Sequence, residues 1–81
     1  MKYLQYLIAI IHGEKRLFMY TKDTGITLEF IDGKWDLTAM FYFFIEKDYQ
    51  YCYITHEDAM KMTNNVTPFE TLEKCLYFLE D

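Results

Sequence analysis

The residues best suited to chemistry are two cysteines and two histidines. Cys52 and His56 lie four positions apart, whereas His12 and Cys75 are distant from them in the sequence. A thiol beside an imidazole can act as a nucleophile, and the same side chains can bind zinc. The chain has no CxxC or HxxxH pair, and Met60 occupies the position that a second zinc-binding histidine after His56 would take. We therefore predict no metal site and no cofactor.

Other catalytic groups are also scarce. The chain contains no serine, and Arg16 is its single arginine, so neither a serine triad nor a paired arginine clamp can form within it. Its three glycines match no phosphate-binding pattern. Neighbouring carboxylates such as Glu57 and Asp58 are expected in solvent, which does not produce the unequal protonation that acid–base catalysis needs. We predict that the protein is not an enzyme and has no catalytic residue.

The clearest local structure lies in residues 26–45. Apolar and polar residues alternate on both sides of Asp32-Gly33, as in two strands joined by a tight turn. A type I′ turn requires positive φ at both central residues, and an Asp-Gly pair tolerates it. The hairpin is predicted to have one apolar face, formed by Ile26, Leu28, Phe30, Trp35 and Leu37. The face that carries Thr27 and Glu29 is predicted to lie in water.

Residues 40–45, which follow the hairpin, fit two structures. As a strand, this segment is apolar on both faces. As a helix, Met40, Phe41, Phe44 and Ile45 share one side at helical spacing, although Phe43 lies off that side. The aromatic and β-branched content favours a strand.

The remaining apolar segments predict strands at residues 3–11, 16–21 and 49–54, with turns at 12–15 and 22–25. Thr55 is predicted to cap a short helix that ends at Asn64-Asn65. A second helix is predicted to begin with Thr67 as its cap, Pro68 as its first residue and Glu70 closing a capping box. The whole chain, 1–81, is therefore predicted to be a single small α+β domain: an antiparallel β-meander of four to five strands followed by two helices packed on one face.

Charge and tyrosine are distributed unevenly. Residues 1–45 carry five acids and five bases, whereas residues 46–81 carry eight acids and three bases, so the formal charge of −5 lies in the C-terminal half. Tyr49, Tyr51 and Tyr53 share one face of the last predicted strand, and tyrosine is enriched at protein interfaces. The candidate partner-binding residues are these tyrosines and the acids of the helices: Glu57, Asp58, Glu70, Glu73, Glu80, Asp81, Tyr49, Tyr51 and Tyr53.

These features favour a small acidic non-enzymatic protein-binding module with a basic-surfaced protein as its partner. An acidic surface repels phosphate, so direct nucleic-acid binding is not expected. In size and composition the chain resembles small acidic inhibitors encoded by phages and other mobile elements, such as the anti-CRISPR proteins. That resemblance implies an inhibitor that blocks a basic, nucleic-acid-binding surface of a host defence protein.

An alternative is a homo-oligomeric structural or assembly module, most simply a homodimer, joined through the aromatic sheet. Neither a signal peptide nor an apolar stretch long enough for a transmembrane helix is recognisable, so no membrane association is expected. The two isolated cysteines favour a reduced, cytoplasmic location, which would be that of a host cell for a phage-encoded protein.

Overall fold

The computed structural model describes residues 4–21, 25–38 and 50–79, with the side chains of 76–79 excepted. The segment 40–45, for which a strand or a helix was predicted, lies outside the described residues, as do Tyr49, Glu80 and Asp81. The predicted fold class is confirmed: a five-stranded antiparallel sheet is followed by two helices. The elements are β1 (Leu4–Ile11), β2 (Glu14–Thr21), β3 (Thr27–Ile31), β4 (Lys34–Thr38), β5 (Tyr51–Ile54), α1 (His56–Thr63) and α2 (Phe69–Leu79).

The sheet has the order β4-β3-β2-β1-β5. The first four strands form a meander, and β5 returns to pair with β1 rather than with β4. This pairing makes β1 an internal strand, as its two apolar faces predicted. It also makes β5 an edge strand of the described sheet.

Two tight turns set the register of the meander. The predicted Asp32-Gly33 turn is confirmed, with φ of 52° and 81° at its two residues. The first hairpin uses the same geometry at His12 and Gly13, with φ of 52° and 80°, so β2 begins at Glu14, two residues earlier than predicted. His12 was not recognised as a turn residue, although histidine tolerates the left-handed conformation better than most residues.

Both faces of the sheet are buried. One cluster, between the sheet and the helices, contains Tyr6, Leu17, Met19, Leu28, Trp35, Ala59, Met60 and Leu72. A second cluster on the opposite face contains Leu7, Ala9, Ile11, Phe18 and Tyr20. The prediction that Thr27 and Glu29 lie in water is therefore wrong, since each is only 3% exposed. Leu37, predicted to be on the apolar face, is 64% exposed near the open edge of the sheet.

The helix ends follow local signals in one case and depart from them in the other. Thr55 caps α1, because its Oγ1 accepts a hydrogen bond of 3.1 Å from the Asp58 amide, and Asn64 ends the helix in the left-handed conformation. Helix α2 begins at Phe69, with the Pro68 carbonyl accepting from the Leu72 amide.

The capping box predicted for α2 is therefore not formed as expected. Pro68 precedes the first helical residue, whereas the prediction placed Thr67 before it and Pro68 inside the helix. The Glu70 carboxylate lies 3.7 Å from the Lys74 ammonium, toward the C-terminal end of the helix, instead of turning back to the cap. The i,i+4 ion pair has displaced the capping interaction for this side chain.

Trp35 connects the sheet to the helix layer through three groups. Its ring is buried, its Nε1 donates a hydrogen bond of 2.8 Å to the Val66 carbonyl, and its own carbonyl accepts one of 3.1 Å from the Thr71 hydroxyl. The hydroxyl of Thr63 also donates to the Val66 carbonyl at 3.1 Å. The linker between α1 and α2 is thus fixed on β4 by a polar network around one indole.

Candidate protein-docking surface

The exposed tyrosines of β5 form the most compact part of the predicted site. Tyr51 and Tyr53 are 47% and 53% exposed, and their ring centroids lie 5.7 Å apart with ring planes at 77°. Successive odd positions of a strand point to the same face, so the two rings are neighbours along the strand. Together they present a pair of aromatic rings to solvent at the edge of the sheet. We call Tyr51 and Tyr53 the tyrosine pair.

The tyrosine pair lies on the sheet face opposite the helices. Tyr53 stands opposite Leu7 and Tyr51 opposite Ala9 in the β1–β5 register. Residues directly opposite in an antiparallel pair share a face, and Leu7 and Ala9 belong to the cluster on the side away from α1 and α2. The helices therefore do not cover these rings, and an exposed, edge-strand position is the one in which such residues favour docking.

The predicted acidic residues lie at one end of the helix layer. Glu57 and Asp58 are in the first turn of α1, and Glu70 is in the first turn of α2. The first residues of the two helices, His56 and Phe69, stack with centroids 6.1 Å apart, which places these turns side by side. Acids in a first turn also stabilise the helix by facing its positive end, so helix stability alone accounts for their position.

Lysines partly neutralise this acidic end. The Lys61 ammonium lies 3.8 Å from the Glu57 carboxylate, and the Lys74 ammonium lies 3.7 Å from that of Glu70. Asp58 and Glu73 make no ion pair among the residues that the structure describes. All four acids are exposed. Because the helices and the tyrosine pair occupy opposite sides of the sheet, the structure divides the predicted partner-binding residues into two separate surfaces.

The cysteine and histidine residues do not form a reactive centre in the described part of the chain. Cys52 is exposed on β5, opposite Ile8, and Cys75 is half-buried on α2. No group of three or more His, Cys, Asp or Glu side chains within 4–21, 25–38 and 50–79 is placed to hold a metal ion. His56 instead shares a hydrogen bond of 2.8 Å with the buried hydroxyl of Tyr6, which ties the start of α1 to β1.

Burial of Tyr6 makes the stability of the fold sensitive to alkaline pH. Desolvation raises the pKa of this phenol from 10.0 to about 12. The unfolded chain therefore loses the Tyr6 proton at lower pH than the folded chain does. The stabilising contribution is complete below pH 10 and is lost as the pH rises toward about 12. Two pKa units correspond to about 2–3 kcal/mol of unfolding free energy.

Urea denaturation at pH values below 10 and near 12 checks this expectation. The other tyrosines and the lysines also titrate in this range, so the informative quantity is the difference between the wild type and Tyr6→Phe. We expect the wild type to lose more stability than Tyr6→Phe over the same interval. Equal alkaline losses in the two proteins would show that Tyr6 is not the group responsible.

A buried ion pair is the polar feature that sequence reasoning missed. Arg16 donates through Nε and Nη2 to the two carboxylate oxygens of Glu29, whose side chain is 4% exposed. The Arg16 guanidinium also lies 5.6 Å from the centre of the Phe18 ring. Strict alternation in β3 made Glu29 look solvated; the sole arginine of the chain was the signal that could have identified its partner.

This ion pair lies at an open cleft where β2 and β3 separate. The β2–β3 ladder stops at Phe18 and Glu29, although both strands continue beyond it. The cleft has a volume of about 470 Å³ and is lined by Glu14, Lys15, Arg16, Leu17, Glu29, Phe30, Ile31 and Met62. Two acids and two bases line it, so it carries no formal charge surplus.

Comparisons with known proteins add no relative to this geometry. A scan of protein-family models, a search of curated protein sequences and a search of solved structures each found no significant match. Within the described residues, neither helix combines the length and the apolar character needed to cross a bilayer. The functional argument therefore depends on the surfaces of this chain.

Proposed function

We propose that this chain is a small protein-binding module that docks a basic-surfaced protein through Tyr51 and Tyr53. The observation that carries the proposal is the exposed tyrosine pair on an edge strand, on the face that the helices leave open. Exposed aromatic side chains of this kind supply much of the binding energy at protein interfaces. The tyrosine pair, rather than a catalytic residue, is the working element of the molecule.

Charge supports a basic partner. The chain carries a formal charge of −5, with eight acids and three bases in residues 46–81. Opposite charge on a partner accelerates its approach over roughly 10 Å at moderate salt, even where the acids do not touch it. A protein that normally holds nucleic acid has such a surface. In that version of the proposal the chain is an inhibitor, encoded by a phage or another mobile element, that covers the surface of a host defence protein.

The test compares capture of partners from host lysate by the wild type and by Tyr51→Ser/Tyr53→Ser. The matched control is Leu37→Ser, which removes a more exposed apolar side chain from the strand at the other edge of the sheet. A captured protein is then purified, and its dissociation constant is measured at low and moderate salt. We expect the double variant to bind at least about tenfold more weakly, as hot-spot residues do, and Leu37→Ser to bind normally.

Two results would contradict the proposal. One is unchanged affinity of the purified partner for Tyr51→Ser/Tyr53→Ser, with circular dichroism showing that both proteins are folded. The other is an affinity that does not fall as salt rises, which would remove the electrostatic part. A set of Gln and Asn substitutions at Glu57, Asp58, Glu70 and Glu73 separates contact by the helix acids from long-range attraction.

A homodimer joined through the tyrosine pair is the second candidate, because an exposed aromatic edge can also meet its own copy. Two copies that each carry a charge of −5 repel one another, and this places the second candidate below the first. Sedimentation velocity at micromolar concentration distinguishes the two. A dimer that Tyr51→Ser/Tyr53→Ser dissociates would favour self-association, whereas a strict monomer would eliminate it.

A further inference from the structure

We infer that the tyrosine pair recognises a guanidinium group, so that the docking surface selects an arginine of its partner. This inference rests on the proposed function and names the chemical group that the surface binds. The two ring planes meet at 77° with centroids 5.7 Å apart, so they form two walls of a corner. About half of each side chain is exposed, which leaves ring surface available to a ligand.

A cation is the ligand class that this corner favours. The face of a tyrosine ring carries negative electrostatic potential and attracts a cation placed within about 6 Å of its centre. The formal charge of −5 adds attraction for a cation and repels an anion. The apolar body of the rings also accepts the methylene groups of a long side chain.

Arginine fits better than lysine. Its guanidinium is planar and weakly hydrated, so it can stack on one ring while its edge faces the other. The same side of the sheet already contains one contact of this kind, since the Arg16 guanidinium lies 5.6 Å from the Phe18 ring centre. In the sheet register Phe18 is opposite Leu7, and Leu7 is opposite Tyr53, so that contact and the proposed one share a face.

The test uses short glycine–serine peptides as probes, each with two copies of one variable residue: arginine, lysine or citrulline. Citrulline has nearly the shape of arginine without its charge. Chemical-shift titration of the isotope-labelled full chain gives the affinities. We expect the arginine peptide to bind most tightly, the lysine peptide less tightly and the citrulline peptide at least about fivefold more weakly than arginine, with the shifts centred on Tyr51 and Tyr53.

Two double variants separate a cation–ring contact from ordinary apolar docking. Tyr51→Phe/Tyr53→Phe keeps both ring faces, and we expect it to bind the arginine peptide within about twofold of the wild type. Tyr51→Leu/Tyr53→Leu keeps apolar side chains but loses the rings, and we expect about tenfold weaker binding. The substitutions of Glu57, Asp58, Glu70 and Glu73 by amides serve as the charge control, which should retain the preference for arginine over citrulline.

The outcomes distinguish this inference from the proposed function. Equal binding of arginine and citrulline peptides, or undiminished binding by the leucine variant, would overturn recognition of a guanidinium. If the leucine variant still binds the purified partner while the serine variant does not, docking at the tyrosine pair stands and the guanidinium does not. If the serine variant also binds the partner fully, the docking surface lies elsewhere and both are wrong.

Discussion

Trp35→Ala is expected to destabilise the protein by about 3–5 kcal/mol, the range for removal of a buried tryptophan. The indole is 2% exposed and lies beside Tyr6 and Phe30, with ring centroids 6.0 and 5.3 Å away. Its removal leaves a cavity between β4 and the helices and also takes away the donor to the Val66 carbonyl. A domain of 81 residues has a total stability of roughly 4–12 kcal/mol, so this one substitution consumes a large share of it.

The measurement is urea denaturation followed by circular dichroism, because Trp35 is the sole tryptophan and its fluorescence disappears with it. Trp35→Phe is the matched variant: it keeps a ring but loses the Nε1 donor, and we expect a smaller loss than for alanine. The Thr63 hydroxyl still donates to the Val66 carbonyl in that variant, which limits the cost of the missing hydrogen bond. Equal unfolding midpoints for Trp35→Ala and the wild type would show that the helix layer does not depend on this residue.

Arg16→Met is expected to destabilise the fold by about 3–5 kcal/mol, because it leaves the Glu29 carboxylate buried without its charged partner. The carboxylate side chain is 4% exposed, so water does not replace the two hydrogen bonds that Arg16 supplies. The unmatched charge, and not the lost contact alone, is the source of the cost.

The double variant Arg16→Met/Glu29→Met should recover most of that loss, since both charges are removed and similar volumes remain. A thermodynamic cycle of the wild type, both single variants and the double variant measures the coupling by urea denaturation. Lys61→Met, which breaks the exposed pair with Glu57, is the control and should change stability little. A double variant that is as unstable as the sum of the single variants would contradict the coupling.

Features specified by a few neighbouring residues could be predicted from the sequence. The Asp32-Gly33 turn and the Thr55 cap depend on backbone conformations and hydrogen bonds within four residues, and both are confirmed. The order of strands and helices follows from the same local periodicities. The cap of α2 shows the limit of such reasoning, because Glu70 had a competing partner in Lys74 at similar sequence distance.

Features that join distant segments could not be predicted in this way. Alternation in β3 identifies which residues share a face, but it does not show whether that face is covered. Glu29 therefore looked solvated until the register placed it beside Arg16, 13 residues away. Of the candidate site, residue spacing predicted that Tyr51 and Tyr53 share a face. The division between the tyrosine pair and the helix acids depends on which side of the sheet the helices cover, and no local pattern encodes that.

The position of β5 beside β1 has a consequence for how the chain folds during synthesis. Strands β1 to β4 pair with their sequence neighbours and can assemble as soon as each has left the ribosome. The outer edge of β1 must wait for residues 51–54, about forty positions after β1 ends. In that interval β1 exposes unsatisfied amides and carbonyls on an apolar strand, the arrangement most prone to intermolecular pairing. A nascent chain stalled before β5 emerges would therefore be more prone to aggregation than the finished domain.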